Sequence, residues 1–240
     1  GHDNWGNNSP RRIVETVWRE LDKMQRNAHK NNTMHTVFVG SMMDIFEKPM
    51  PLIDKSGADV DIESTTHIRN KFFNNIMYGM YPNLMFLLLT KRPGNINKYI
   101  PAAWRIDPPK NVMFGTSVSD QKSACDLIPK LSAVEGYKFL SIEPLLGEID
   151  ITSKSTNYTG KWNKSTFVGV DWVIVGGESG FGARPMDPRW VISLQEQCAE
   201  SGVPFFFKQW GEWHPMGQVL ADGTMNCLDK GEINNLKSMR

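Results

Sequence analysis

Leu84-Met85-Phe86-Leu87-Leu88-Leu89-Thr90-Lys91-Arg92 decides the fold. The apolar run does not alternate with polar residues, as expected of a parallel strand covered on both faces. It then breaks at once into a polar, cationic cluster. Five other stretches repeat the pattern: Thr36-Val37-Phe38-Val39, Val112-Met113-Phe114, Tyr137 to Ile142, Trp172 to Val175 and Val203 to Phe207. The clusters that close them are Gly40-Ser41-Met42-Met43-Asp44, Thr116-Ser117-Val118-Ser119, Ser141-Ile142-Glu143, Gly176-Gly177-Glu178-Ser179 and Lys208-Gln209-Trp210.

Helical patterns lie between these strands. Ser9-Pro10 looks like an N-cap followed by proline at the first helical position. Val14, Val17, Trp18, Leu21 and Met24 then share one helical face. Ile68, Phe72, Ile76 and Met80 repeat that spacing. Ser119 is placed to cap a helix through Cys125 and Leu127 that Pro129 ends or kinks. Asp187-Pro188 starts another, which Gly202 ends. Alternating strands and helices imply right-handed crossovers and one parallel sheet. The fold class expected is α/β, a partial (β/α) barrel of about six parallel strands. In a barrel the polar clusters converge at one mouth, so Asp44, Lys91, Ser117, Glu143, Glu178 and Lys208 are expected in one cavity. A single domain over residues 1–240 is expected, with an insertion near 152–169 and an irregular tail from about 214.

The chain has 240 residues and a formal net charge of +1, long enough for a sizeable core. Near-neutral charge argues against coating nucleic acid or membranes by charge alone. No apolar run of membrane-spanning length and no signal-peptide stretch is present, so no membrane partner is expected. Cys125, Cys198 and Cys227 are widely spaced and read as reduced thiols of a cytoplasmic protein, with no metal site.

Several groups carry chemistry. Lys91 and Arg92 can hold a carboxylate or phosphate, Arg92 as a bidentate fork; a solvated strand end is the plain alternative. Glu143 can accept a proton or bind a ribose hydroxyl, or else pair with Lys91, Arg92 or Lys208. Glu143 and Lys208 are the catalytic candidates. The glycines around Glu178 and Ser179 allow close approach of a ligand to the backbone, although the motif matches no nucleotide-binding loop. Trp210 and Trp213 are the candidate base-stacking residues near Lys208 and Gln209. Thr90, Arg92, Ser119, Glu178, Ser179, Gln209 and Trp210 are thus the candidate substrate contacts.

Taken in order, the strand-end motifs Gly-Ser-Met-x-Asp-x-Phe, Leu-Leu-Thr-Lys-Arg-Pro, Gly-x-Ser-Val, Ser-x-Glu-Pro-Leu-Leu-Gly, Asp-Trp-Val-Ile-Val-Gly-Gly-Glu-Ser-Gly and Phe-Phe-Phe-Lys-Gln-Trp-Gly resemble a family of phage and prophage proteins of radical-SAM type. The resemblance runs from Gly1 to about Trp213. Members of that family carry three cluster-binding cysteines just before a Gly-His-Asp-x-Trp-Gly segment, where this chain begins. The resemblance implies a [4Fe-4S] cluster and S-adenosylmethionine in a complete member, but neither cofactor in this chain. It also implies a missing first barrel strand, by truncation or an incomplete gene, with a natural cluster-free paralogue as the alternative. A more distant similarity to spore photoproduct lyase implies that Ser41, Asp44, Lys91 and Ser117 face S-adenosylmethionine.

The expected function is an enzyme acting in complete form on a nucleic acid base or nucleotide, in DNA repair or modification. Radical chemistry is not expected of this chain as it stands. The alternative is a barrel that binds nucleotide or nucleic acid without redox chemistry. An open barrel edge also predicts self-association.

Overall fold

A computed structural model describes residues 9–14, 16–40, 43–61, 64–152, 169–219 and 225–229. Six parallel strands form one sheet, and the class is the expected α/β, that of a partial β/α barrel. The chain divides into two compact units, Gly1–Met113 and Phe114–Arg240.

The first unit opens with β1 (Arg11–Arg12), then α1 (Thr16–Lys30), β2 (His35–Val39), β3 (Leu52–Ile53), α2 (Thr65–Met77) and β4 (Leu84–Thr90). Short 3-10 turns at Pro93–Asn95 and Ala102–Arg105 flank α3 (Ile96–Tyr99). β2 and β4 pair in parallel, Val37 opposite Phe86. Leu84, Phe86 and Leu88 are fully buried, as the lack of alternation in β4 requires. α2 covers them: Phe72 meets Phe86 edge-on at 5.1 Å between centroids, and Phe73 lies 5.0 Å from Trp104.

The Ser9-Pro10 expectation is corrected. Arg11 and Arg12 pair with Leu52 and Ile53 instead of starting a helix, so α1 begins at Thr16. Val14 and Val17 are exposed, because the stripe that α1 buries centres on Leu21 and Ala28. Met80 falls beyond the end of α2 and is exposed as well.

The segment after β2 is braced from two sides. Buried Arg69 of α2 donates to the carbonyls of Ile45 and Glu47 at 3.2 and 3.1 Å and lies 4.1 Å from the Tyr99 ring centre. Arg11 grips the Glu47 carboxylate at 2.9 and 2.7 Å. Both carbonyl bonds come from the Arg69 Nη1, while Nη2 donates to Thr66 Oγ1 at 3.2 Å, and such charge-assisted bonds hold this turn more firmly than apolar contact would.

The sheet continues through β5 (Val112–Ser117), β6 (Tyr137–Ile142), β7 (Trp172–Gly176) and β8 (Phe205–Gln209), in the order β2-β4-β5-β6-β7-β8. α4 (Gln121–Ser132) and α5 (Pro188–Ser201) lie between these strands in sequence. Asp120, not Ser119, caps α4, exchanging hydrogen bonds with Ser123 in a capping box. Pro129 sits inside α4, which runs on to Ser132. Asp187 caps α5 ahead of Pro188, and Gly202 ends it in the left-handed conformation at φ 66°. After β8 the chain forms an antiparallel hairpin of β9 (Trp213–Val219) and β10 (Met225–Asp229), where the sequence offered no period. The insertion expected near 152–169 lies mostly outside the described residues, as does the tail beyond residue 229. Among the described residues no helix is long and apolar enough to cross a membrane.

Candidate functional site

In the first unit, Asp44 collects the residues that follow β2 and β4. Its carboxylate accepts from Thr90 Oγ1 at 2.8 Å, Arg92 at 2.8 Å and the Phe46 amide at 3.0 Å. The Lys91 amide lies 3.4 Å away. Asp44, Thr90 and Arg92 therefore come together, but they satisfy one another. The Arg92 fork that could hold an external anion already holds an internal one. Lys91 is exposed, and its ammonium forms no ion pair among the described residues. Ser41 lies outside the described residues.

The second unit builds a different cluster, and strand alternation explains it. Ser141 of β6 pairs with Ile174 of β7, which pairs with Phe206 of β8, so these three share a face. Two residues further on, the same face carries Glu143 beyond β6 and Gly176 at the end of β7. Between Val175 and Gly176 the register shifts: Val175 opposes Phe207, but Gly176 opposes Gln209. β8 thus has one residue more than β7 at this point, the count of a β-bulge, and bulges commonly re-aim side chains beside functional sites.

The result is that two consecutive residues of β8 reach one carboxylate. Lys208 Nζ donates to both Glu143 oxygens at 3.0 and 2.9 Å. Gln209 Nε2 donates to Glu143 Oε1 at 3.0 Å and to Ser179 Oγ at 3.2 Å. Ser117 Oγ reaches the Glu143 carbonyl at 3.4 Å. The peptide between Glu143 and Pro144 is cis. Gly176 lies against the carboxylate: a Cβ there would stand 3.0 Å from Glu143 Cδ and Oε1. Of the alternatives for Glu143, the ion pair with Lys208 is the one formed.

This cluster leaves chemistry unspent. Glu143 and Ser179 take both Gln209 amide hydrogens, which also fixes the orientation of the amide. Gln209 Oε1 accepts nothing among the described residues and remains an acceptor. Lys208 keeps a third N–H, and the Ser179 hydroxyl keeps its own proton to donate. Lys208 is half exposed, so solvent and ligand can reach it. One acceptor and two donors therefore stand beside a carboxylate that can exchange a proton.

The remaining predicted residues do other work. Glu178 turns to Arg184, receiving side-chain hydrogen bonds at 2.8 and 2.7 Å and the Arg184 amide at 2.8 Å. These bonds, the side-chain ones foremost, pull its carboxyl down to about 2. Ser119 accepts the Leu146 amide at its carbonyl, and its own amide donates to Ser123 Oγ at 3.0 Å. Trp210 packs edge-on against Phe207 at 4.7 Å and lines an apolar groove with Phe205 and α5 residues Val191 and Ile192. The Glu178–Arg184 tie went unforeseen, although an acid and an arginine six residues apart in a glycine-rich loop is a local signal.

The chain belongs to the family described as protein of unknown function DUF5131, whose model matches residues 4–236. No curated protein matches it. Among solved structures it is similar to the catalytic domain of the Thermobifida fusca endoglucanase Cel5A in complex with cellotetraose. That likeness has 11% identity over 97% of this chain and 68% of the other, with a TM-score of 0.38.

Proposed function

We propose that this chain is the barrel of a radical-SAM-type enzyme that in its complete form, with the cluster cysteines this chain lacks, acts on a nucleic acid base or nucleotide, as in DNA repair or modification. The observation that carries the substrate class is the Glu143–Lys208–Gln209–Ser179 cluster. Its free acceptor on Gln209 and free donors on Lys208 and Ser179 match the mixed donor–acceptor edge that a base presents. Lys208 serves as the proton donor and Glu143 as the proton acceptor, each held by the other until a ligand inserts. A cytoplasmic setting suits the free thiols of Cys125 and Cys198. Among the described residues the outer edge of β8 has no neighbour in the sheet order, which supports self-association there.

The cofactors fit less well. A [4Fe-4S] cluster takes cysteine thiolates, and among the described residues no group of three His, Cys, Asp or Glu side chains could hold a metal ion. Cys198 is buried, and burial pushes its thiol up to about 12, far from a thiolate at neutral pH. For S-adenosylmethionine, Lys91 is available to a carboxylate, whereas Asp44 is already engaged. The engagement of Asp44 by Thr90 and Arg92 favours the second reading, a nucleotide- or nucleic-acid-binding barrel without redox chemistry.

Calorimetry with the four deoxynucleoside monophosphates and with a short single strand tests the substrate class. Binding tighter than about 1 mM is expected, and at least tenfold weaker binding for Lys208→Ala. No heat with any of these ligands overturns it. Reading the gene in frame upstream of Gly1 separates the two readings, because a [4Fe-4S] cluster needs cysteine thiolates at a spacing that Cys125, Cys198 and Cys227 do not have. A three-cysteine run there supports the enzyme, which after anaerobic loading with iron and sulfide should convert added S-adenosylmethionine to 5′-deoxyadenosine under a one-electron reductant; no such run, with nucleotide binding retained, supports the binding module.

A further inference from the structure

Residues 177–186 form a loop whose base is tied down and whose tip is a bare aromatic ring. Phe181 is 112% exposed, more open than a reference residue in an extended chain. Gly180 and Gly182 flank it at φ 101° and 75°, conformations that side chains rarely adopt and that turn the ring outward. Single exposed apolar residues are ordinary on protein surfaces. A loose loop, however, would let such a ring fold back onto apolar surface, and this loop is not loose.

Four sets of contacts brace it. Arg184 grips Glu178 through two side-chain bonds and its own amide. Trp213 Nε1 donates to the Ala183 carbonyl at 2.6 Å. The Gly180 amide reaches Glu212 Oε2 at 3.3 Å, and the Glu212 amide donates to the Glu178 carbonyl at 2.8 Å. Beneath them the backbones of 177–178 and 210–211 are in such close contact that a Cβ on Gly177 would stand 1.9 Å from the Trp210 carbonyl oxygen. The ring is therefore held away from the protein by a fixed scaffold.

Its position along the chain gives it a use. Ser179, which accepts from Gln209 in the polar cluster, is two residues before Phe181. Two trans peptides span at most roughly 7 Å between Cα atoms, about the reach of one nucleotide. We propose that Phe181 is a stacking platform for a base of a single-stranded nucleic acid whose neighbouring base occupies the Glu143–Lys208 cluster. This rests on the substrate class proposed above. An aromatic face suits a base because every base has a π surface, and stacking is indifferent to sequence. It also assigns the stacking role to Phe181 rather than to Trp210, which is packed against Phe207.

Anisotropy of a labelled single strand of roughly a dozen nucleotides tests this, with an abasic strand of equal length as control. Phe181→Ala and Phe181→Leu are expected to weaken binding roughly tenfold, Phe181→Trp to retain it, and binding of the abasic strand not to change. Because the side chain makes no packing contact that folding needs, circular dichroism should be identical throughout. Wild-type affinity in Phe181→Ala overturns the proposal. So does full affinity in Phe181→Leu, which would make the contact merely apolar, or an equal loss on the abasic strand. If Lys208→Ala loses binding while all Phe181 variants keep it, the substrate class stands and this proposal falls. If the wild-type chain binds neither strand nor nucleotide, both fall.

Discussion

Lys208 Nζ lies 3.0 Å from one oxygen of Glu143 and 2.9 Å from the other, although the two residues are 65 positions apart in sequence. The lysine side chain is 50% exposed and the glutamate 21%. Solvent screens such a pair, so its contribution to folding is below about 1 kcal/mol. Lys208→Met should accordingly lower stability by less than ~1 kcal/mol in urea unfolding. A loss above roughly 3 kcal/mol would mean that the pair exists to hold the fold, as a buried ion pair does, and would remove the functional reading.

Arg184 controls the titration of Glu178. Glu178, with its carboxyl at about 2, is charged throughout the ordinary carboxylate range. A depressed folded value means that the tie is fully present above the unfolded value and is lost as pH falls through about 2. NMR titration of the Glu178 side chain should show this, and in Arg184→Met the carboxyl should return to the ordinary range. Ordinary titration of Glu178 in the wild-type chain would show that the loop is not braced in solution.

β4 to β7 were legible because buried parallel strands are unbroken apolar runs; β2 and β8, first and last in the sheet order, carry similar runs but alternate between half-buried and exposed residues, with Phe38 and Phe206 exposed, so the expectation of burial does not hold there. The cap at Ser9-Pro10 was misread because the chain there has a better partner, the distant Leu52–Ile53 segment, and local spacing cannot reveal it. The pairing of Glu143 with Lys208 was legible as two opposite charges closing neighbouring strands. The role of Gln209 was not. Strict alternation sends consecutive residues to opposite faces, and only the register shift between β7 and β8 brings both to one carboxylate. Phe181 is not legible from sequence, because one aromatic between glycines resembles any turn, and the bonds that brace it come from Trp213 and Glu212, some 30 positions away.

The two described thiols should differ in reactivity. Cys198 is fully buried, and desolvation alone raises its thiol to about 12. Cys125 is half-buried near the start of α4. At pH 8, iodoacetamide should modify Cys125 in the native protein and Cys198 only after denaturation, as read by peptide mass mapping. Rapid native labelling of Cys198 would show that α5 opens from the sheet, and would reopen the question of its use as a ligand.

Gly176 offers the sharpest test of the cluster, because it touches the carboxylate without carrying a functional group. An alanine Cβ there would stand 3.0 Å from Glu143 Cδ and Oε1 and 3.3 Å from Cγ. The carboxylate must yield by a few tenths of an ångström, and Lys208 and Gln209 both hold it where it is. Gly176→Ala is therefore expected to cost about 1 kcal/mol in stability and to lower nucleotide affinity about as much as Lys208→Ala does. Shortening the glutamate relieves the crowding, so Glu143→Asp added to Gly176→Ala should recover stability, a non-additive result expected of residues in contact. Nucleotide affinity should recover only in part, since the shorter acid no longer reaches both partners. Additive losses in the double variant would mean that Gly176 does not press on Glu143, and that the carboxylate is free to move when a ligand enters.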